Sequence, residues 1–204
     1  MDKKQYFIDI FEKANKKFEN DYTRLAAEGW KEPWQVLIVT IMSAQSKDET
    51  TIVIGEELFK KYPSLNELAD ADYEDVLKIF KSLNYNKTKA KHVISSAQKL
   101  RDDFNGAVPS SLDDLISLPG VGRKTANLVM GEVFNKPAIC VDTHVHRISN
   151  IFGFVKTKNP DETEKELMKF VPEKYWNSIN RVFVLWGKSV AGWDKNKLLD
   201  FINS

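Results

Sequence analysis

Between Leu118 and Arg147 the chain reads LPGVGRKTANLVMGEVFNKPAICVDTHVHR. A glycine-bearing turn opens a helix that carries Lys124, and eighteen positions later, from 124 to 142, Asp142 opens another. In Leu118-Pro119-Gly120-Val121-Gly122 the proline sets φ near its ring-locked value, and the glycines admit angles closed to other residues. The main chain can therefore turn tightly and approach a partner closely. Phosphate is the natural partner, because the first N–H groups of the next helix point outward, the helix dipole adds partial positive charge and Arg123 adds a full one.

These residues do not stand alone. Pro33-Trp34, the run Ser43-Ala44-Gln45-Ser46-Lys47-Asp48, the block Asn84-Tyr85-Asn86-Lys87-Thr88-Lys89-Ala90, the LPGVGRKTAN hairpin, and Val141-Asp142-Thr143-His144 with Arg147 follow one another in order. In these blocks the chain resembles the helix-hairpin-helix DNA glycosylases, and within them the endonuclease III branch. The resemblance fades near Gly187. It implies an enzyme of base excision repair, in which an amine attacks the sugar C1′ of a damaged nucleotide, the base leaves, and the resulting Schiff base promotes strand cleavage by β-elimination.

Lys124 matches the nucleophilic lysine of that family. An ordinary lysine, with a pKa of about 10.4, is neutral in only about one molecule in a few thousand at pH 7, so the chemistry requires that its ammonium form be disfavoured. A place in the first turn of a helix beside Arg123, and burial in a cleft, would both act in that direction. Asp142 matches the carboxylate partner. Cleavage of the glycosidic bond builds positive charge on the sugar, which a fixed carboxylate stabilises, and the same group can take a proton from the attacking amine. Its place before Thr143 also makes it an N-cap, which keeps a carboxylate ionised.

A base inside a duplex must be extruded before it can react. The resemblance implies that Gln45 fills the vacated stack and that Tyr85 wedges in from the opposite strand. The second loop departs from the family pattern, with Asn84 where a glycine is usual and Asn86 where a tyrosine is usual. The full set expected to meet DNA is Gln45, Tyr85, Lys89, Gly120, Val121, Gly122, Arg123, Thr125, His144 and Arg147. The expected partner is double-stranded DNA holding damaged bases or abasic sites, met by a monomer in the cytoplasm at the nucleoid. The expected substrates are oxidised pyrimidines. A lyase acting on 8-oxoguanine and a non-catalytic helix-hairpin-helix DNA-binding module are the competing readings. Lys124 separates the chain from the adenine and mismatched-thymine glycosylases of the superfamily, which lack a lysine there.

The 204 residues are 42% apolar and 29% charged, the balance of a globular chain. No apolar run approaches a membrane span, since Val36–Met42 is the longest and Thr40 interrupts it. The formal net charge is only +1, so affinity for DNA must come from a local basic face. Lys87, Lys89, Lys91, Arg123, Lys124, Arg147, Lys156 and Lys158 are its candidates, while acids gather at positions 70–75 and 161–166.

Cys140 is the single cysteine, which excludes an internal disulfide and any four-cysteine cluster. Most endonuclease III proteins carry a four-cysteine iron–sulfur loop near the C-terminus. Here no cluster is expected, and Trp186, Trp193, Leu198 and Phe201 are expected to pack in its place. Cys140 itself reads as a small buried hydrophobe. The histidines make no metal site: His144 and His146 diverge on a helix, and His92 stands alone on a lysine-rich face. The resemblance leaves room for a monovalent cation held by the hairpin carbonyls.

The elements that must position these groups are helical. Glu32-Pro33 opens the apolar 34–44 segment, Ser64-Leu65-Asn66-Glu67 is a capping box, Asp72 precedes a helix to about Ser82, and Asn159-Pro160-Asp161-Glu162 starts another. Ala90, Val93, Ile94, Ala97, Leu100 and Phe104 form one apolar stripe. Almost nothing alternates with a period of two. The expected fold is all-α, with ten to twelve helices in two lobes. The resemblance implies a six-helix barrel over residues 25–135, with the helix-hairpin-helix at about 110–130. Residues 1–24 and 136–204 would form a second helical domain, with the active site in the cleft between the two.

Overall fold

The computed structural model describes residues 2–204. Twelve α-helices and two 3-10 turns, with no strand, make up the regular structure of the described residues. They are α1 (Lys3–Lys17), α2 (Pro33–Ser43), α3 (Asp48–Lys61), α4 (Leu65–Ala69), α5 (Tyr73–Ile79), α6 (Asn86–Asp103), α7 (Leu112–Ile116), α8 (Arg123–Phe134), α9 (Thr143–Ile151), α10 (Pro160–Met168), α11 (Trp176–Ser189) and α12 (Lys195–Asn203). The 3-10 turns are Phe80–Ser82 and Glu173–Tyr175. The chain divides into two compact units, one of residues Thr23–Asn135 and one of Met1–Tyr22 with Lys136–Ser204.

Local chemistry starts most of these helices. The Ser64 hydroxyl accepts from the Glu67 N–H while the Glu67 carboxylate accepts from the Ser64 N–H, which satisfies two orphan donors of α4 at once. Asp72, Ser111, Asn159 and Asp194 cap α5, α7, α10 and α12 in the simpler way, each side chain accepting backbone N–H. At α2 the proline of the first turn needs no N–H partner, and the Gln35 side chain reaches back to the N–H groups of Lys31 and Glu32.

In the 23–135 unit, α2 is the central element. Trp34 and Val36 through Met42 are all buried, so the helix is apolar on every side, as an interior helix must be. It packs against α3, α6 and α8. Thr40 is tolerated there because its hydroxyl donates to the carbonyl of Val36 at 2.7 Å. The stripe of α6 is buried as its spacing requires, with Ala90, Val93, Ile94, Ala97 and Leu100 inside and Phe104 half-buried against the same core. Each buried valine, leucine or isoleucine side chain contributes on the order of 1.5 to 3 kcal/mol.

In the other unit, α1 packs against α11 and α12. Its Phe7 ring meets Phe154 edge-on at 5.0 Å and Phe11 stacked at 5.6 Å, and both approach Phe183. The C-terminal stretch is tied in by apolar contact and by hydrogen bonds, among them those of Lys13 Nζ to Asn203 Oδ1 and of Lys17 Nζ to the Ser204 hydroxyl. Trp186 is fully buried with its indole N–H donating to the carbonyl of Leu198 at 3.2 Å, Leu198 is fully buried, and Phe201 stacks on Phe18. Trp193 departs from the expected packing. It lies 67% exposed in the irregular segment that links α11 to α12, next to Gly192, whose left-handed φ of +90° takes the chain out of helical conformation there.

Candidate functional site

The helix-hairpin-helix is built from α7, the turn Ser117–Gly122, and α8. Gly120 has φ +79°, and a Cβ added there would come within 2.7 Å of His92 Nδ1. Only glycine fits, for conformational and steric reasons together. The hairpin is held on α6 by three residues of one face. His92 lies against Gly120, the Ser96 hydroxyl donates to the carbonyl of Pro119 at 2.6 Å, and Lys99 Nζ donates to the carbonyl of Ser117 at 3.1 Å. Positions 92, 96 and 99 are spaced by four and three residues and so share a helix face distinct from the apolar stripe. His92 therefore does not stand alone, as the sequence led us to expect; it supports the turn.

Val121 is buried and its N–H closes the turn on the carbonyl of Leu118 at 3.1 Å, so its contribution is to shape the hairpin. Gly122 is exposed and is the N-cap residue of α8, so Arg123, Lys124 and Thr125 make up the first turn of that helix. Lys124 is exposed, and Arg123 and Thr125 are half-buried. The carbonyls of Leu118 and Pro119 already accept the bonds just given.

At the other end of α6, two loops carry the residues expected to enter the duplex. Gln45 follows the C-terminus of α2 with φ +54°, and Tyr85 precedes α6 with φ +56°. Both side chains are exposed, Tyr85 to 66%. Non-glycine residues in the left-handed region are uncommon and cost energy, of order 1 kcal/mol or more. The two loops touch: Asn84 Nδ2 donates to the carbonyl of Gln45 at 2.5 Å, and Lys89 Nζ donates to the hydroxyl of Ser46 at 2.8 Å.

Lys89 corrects an expectation. Instead of presenting its charge to phosphate, it is buried on α6, only 4% exposed, and burial pushes its pKa down to about 8. Lys87 and Lys91 remain exposed on either side of it. The open depression lined by Glu57, Lys60, Lys61, Asp75, Lys78, Ile79 and Lys81 includes none of these residues. It is a surface ion-pair cluster, with Lys61 Nζ 2.7 Å from Asp75 Oδ2 and Lys78 Nζ 3.3 Å from Asp75 Oδ1.

In the other unit, Asp142 is the N-cap of α9, its Oδ1 accepting from the Val145 N–H at 2.8 Å. His144 and His146 point apart. The first packs on Gly187, where a Cβ would meet its ring at 2.2 Å, and the second has Nδ1 2.7 Å from the hydroxyl of Thr163. Gly187 thus lets α11 come close to α9.

Arg147 also differs from its expected place on a basic face. Its guanidinium donates to the carbonyls of Gly187 at 3.0 Å and Val190 at 3.2 Å, and to that of Gly192. Burial lowers its pKa, against the raising effect of the Asp142 carboxylate. The charge is spent on carbonyls at and beyond the end of α11, where the helix dipole is negative.

The model of the HhH-GPD superfamily, described as base excision DNA repair proteins, matches residues 38–173. The chain belongs to that superfamily. Endonuclease III of Thermotoga maritima is 44% identical over 160 residues, covering 78% of this chain and 75% of that protein. Endonuclease III of a Synechocystis strain is 36% identical over 163 residues, covering 79% and 74%. The solved structure of a trapped endonuclease III–DNA covalent intermediate superposes with a TM-score of 0.85 at 33% identity, over 93% of this chain and 88% of that one. This HhH-GPD protein is an endonuclease III-like DNA glycosylase and AP lyase of base excision repair, and it binds DNA.

The family's four-cysteine cluster does not fit the residues present. Cys140 is the sole cysteine of the chain, it is buried, and its carbonyl accepts from Asn180. No group of three His, Cys, Asp or Glu side chains that could hold a metal ion occurs among the described residues. Nor is any helix among them long and apolar enough to cross a membrane.

Sequence reasoning gave no positioning role to four residues of the site: Asn84, Ser46, Ser96 and His92. The signal for two of them was present in α6, where His92, Ser96 and Lys99 form a polar face at helical spacing. For Asn84 the signal was its departure from the expected glycine.

Proposed function

We propose that this enzyme removes oxidised pyrimidines from duplex DNA and nicks the abasic product, with Lys124 as nucleophile and Asp142 as its carboxylate partner. The Lys124 amine in its neutral form bonds to C1′, and the glycosidic electron pair leaves with the base, which takes up a proton. The nitrogen lone pair then forms the C1′=N bond as the C1′–O4′ bond breaks, its electron pair and a proton going to O4′, and the protonated imine so formed acidifies the C2′ protons. Loss of one breaks the C3′–O bond, the phosphate departs, and water then releases the lysine. The Asp142 carboxylate balances the positive charge that develops on the sugar and accepts the proton of the attacking amine.

One observation carries the reading: Lys124 lies exposed in the first turn of α8, directly after a glycine hairpin whose geometry admits a close approach of backbone to phosphate. The hairpin fixes the register of the DNA without reading its sequence. Gln45 and Tyr85, each exposed in a left-handed loop, are read as the groups that fill and open the stack. The chain is further proposed to work as a monomer and without an iron–sulfur cluster. The buried Trp186 and Leu198 and the Arg147 bonds to the end of α11 support the cluster-free reading by holding the C-terminal helices through ordinary contacts.

Borohydride reduction during turnover tests the assignment. It should freeze a covalent protein–DNA adduct. Lys124→Ala should lose both the adduct and the nick while still binding duplex with an abasic site. A Lys124→Ala enzyme that continues to nick would overturn the choice of nucleophile. A panel of matched duplexes bearing oxidised pyrimidines or 8-oxoguanine tests the substrate, and faster excision of the purine would overturn that part.

A further inference from the structure

Two exposed non-glycine residues, forty positions apart in the chain, are both held in the left-handed region. Such strain persists only where the surroundings over-determine the backbone, and it concentrates at sites that act on a ligand. What determines it here is a pair of bonds between the same two loops. The Asn84 amide, adjacent to Tyr85, reaches the carbonyl of Gln45, and Lys89, one turn into α6, reaches the hydroxyl of Ser46, the residue after Gln45. The Lys89 N–H in turn donates to the carbonyl of Tyr85 at 3.0 Å, which continues the ladder from loop to helix. A glycine at position 84 could make no such side-chain bond.

We propose that Asn84, with Lys89 behind it, braces the Gln45 and Tyr85 loops into one rigid wedge that enters the duplex as a unit, which makes Asn84 a positioning residue for base extrusion. The proposal rests on the reading of these loops as the duplex-entering elements. Two separate loops must each lose conformational freedom when they insert between bases. A braced pair has already lost it, so less of the interaction with DNA is spent on ordering. The brace acts only on the step that opens a duplex. An abasic site in single-stranded DNA presents no stack to be opened and no opposite strand to be wedged.

The test compares single-turnover nicking of one abasic site in duplex and in single-stranded DNA, alongside the fluorescence of 2-aminopurine placed opposite an uncleavable abasic analogue. Asn84→Ala, which removes the donor, and Asn84→Asp, which turns an acceptor toward the Gln45 carbonyl, should each lower the duplex-to-single-strand ratio about tenfold, the effect of losing one well-placed hydrogen bond. The 2-aminopurine signal should slow by the same factor. In a Gln45→Ala/Tyr85→Ala background, Asn84→Ala should bring no further loss, because nothing is left to position. A purely structural asparagine would instead lower both rates alike and add its effect in any background, and that result would overturn the proposal, as would Asn84 variants with an unchanged ratio. The Gln45→Ala and Tyr85→Ala single variants separate the two levels. If neither alters the duplex rate, the reading of the loops fails; if they do and Asn84 variants do not, only the brace fails.

Discussion

Replacing Lys89 with methionine should stabilise this protein at neutral pH and weaken its action on duplex DNA. The ammonium of Lys89 has a pKa of about 8 in the folded chain, against 10.5 for an ordinary lysine, because burial disfavours its charge. That gap corresponds to about 3 kcal/mol. Below pH 8 both folded and unfolded chains hold the proton, and the folded state bears the full cost. Between pH 8 and 10.5 the unfolded chain binds more protons than the folded one, so stability rises with pH. Methionine keeps the unbranched stem and removes the charge. It also forfeits the bond to Ser46, worth about 1 to 2 kcal/mol, although half-buried Ser46 can turn to water. The variant should therefore be about 1 to 2 kcal/mol more stable than the parent at pH 7. By pH 9.5 the parent should have recovered about 2 kcal/mol by losing its proton, and the advantage should vanish or reverse. Urea unfolding of both chains at the two pH values, followed by far-UV circular dichroism, measures this directly, and groups common to both chains cancel. A separation between parent and variant that is the same at pH 7 and pH 9.5 would refute the reasoning, since it would mean that Lys89 titrates like a lysine in water.

Three further substitutions, at two positions, separate structural from chemical roles. Asp142→Asn keeps an oxygen for the Val145 N–H, whereas Asp142→Ala gives up the cap at a cost of about 1 kcal/mol; melting should distinguish the pair, while both should slow single-turnover base release by about a hundredfold or more through loss of the carboxylate charge. Base release by Asp142→Asn at the parent rate would remove Asp142 from the chemistry. Arg147→Met strips three carbonyls of a charged donor, so it should cost about 2 kcal/mol, or about 4 to 8 °C in melting temperature for a chain of this size. Because the guanidinium is spent inside the protein, the salt dependence of DNA binding should keep its slope; a slope shallower by about one would return Arg147 to the DNA interface.

Much of the site is legible in the order of the residues. The Pro119-Gly120 turn, the Asp142 cap and the capping box at Ser64 each depend on groups within a few residues of one another, and local chemistry of that range is written in local sequence. The apolar stripe of α6 and the apolar run of α2, interrupted only at Thr40 between Val36 and Met42, likewise imply burial, because side chains at helical spacing must share a face. Less legible is the direction taken by long polar side chains. Lys89, Arg147 and His92 all read as surface groups, yet each holds a distant segment in place: Ser46, the end of α11, and Gly120. Trp193, which reads as core, is at the surface.

The sequence by itself determined that this chain is helical, where most of its helices begin, which residues could carry lyase chemistry, and which superfamily it belongs to. The tertiary structure alone decided which charges remain available to a partner. The reason is one of range. Caps and turns act over three or four residues, but whether an ammonium or guanidinium is hydrated depends on acceptors that lie 43 residues away for Lys89 and 40 for the nearest Arg147 bond. Only folding brings those acceptors within hydrogen-bonding distance, where a bond outweighs the pull of water.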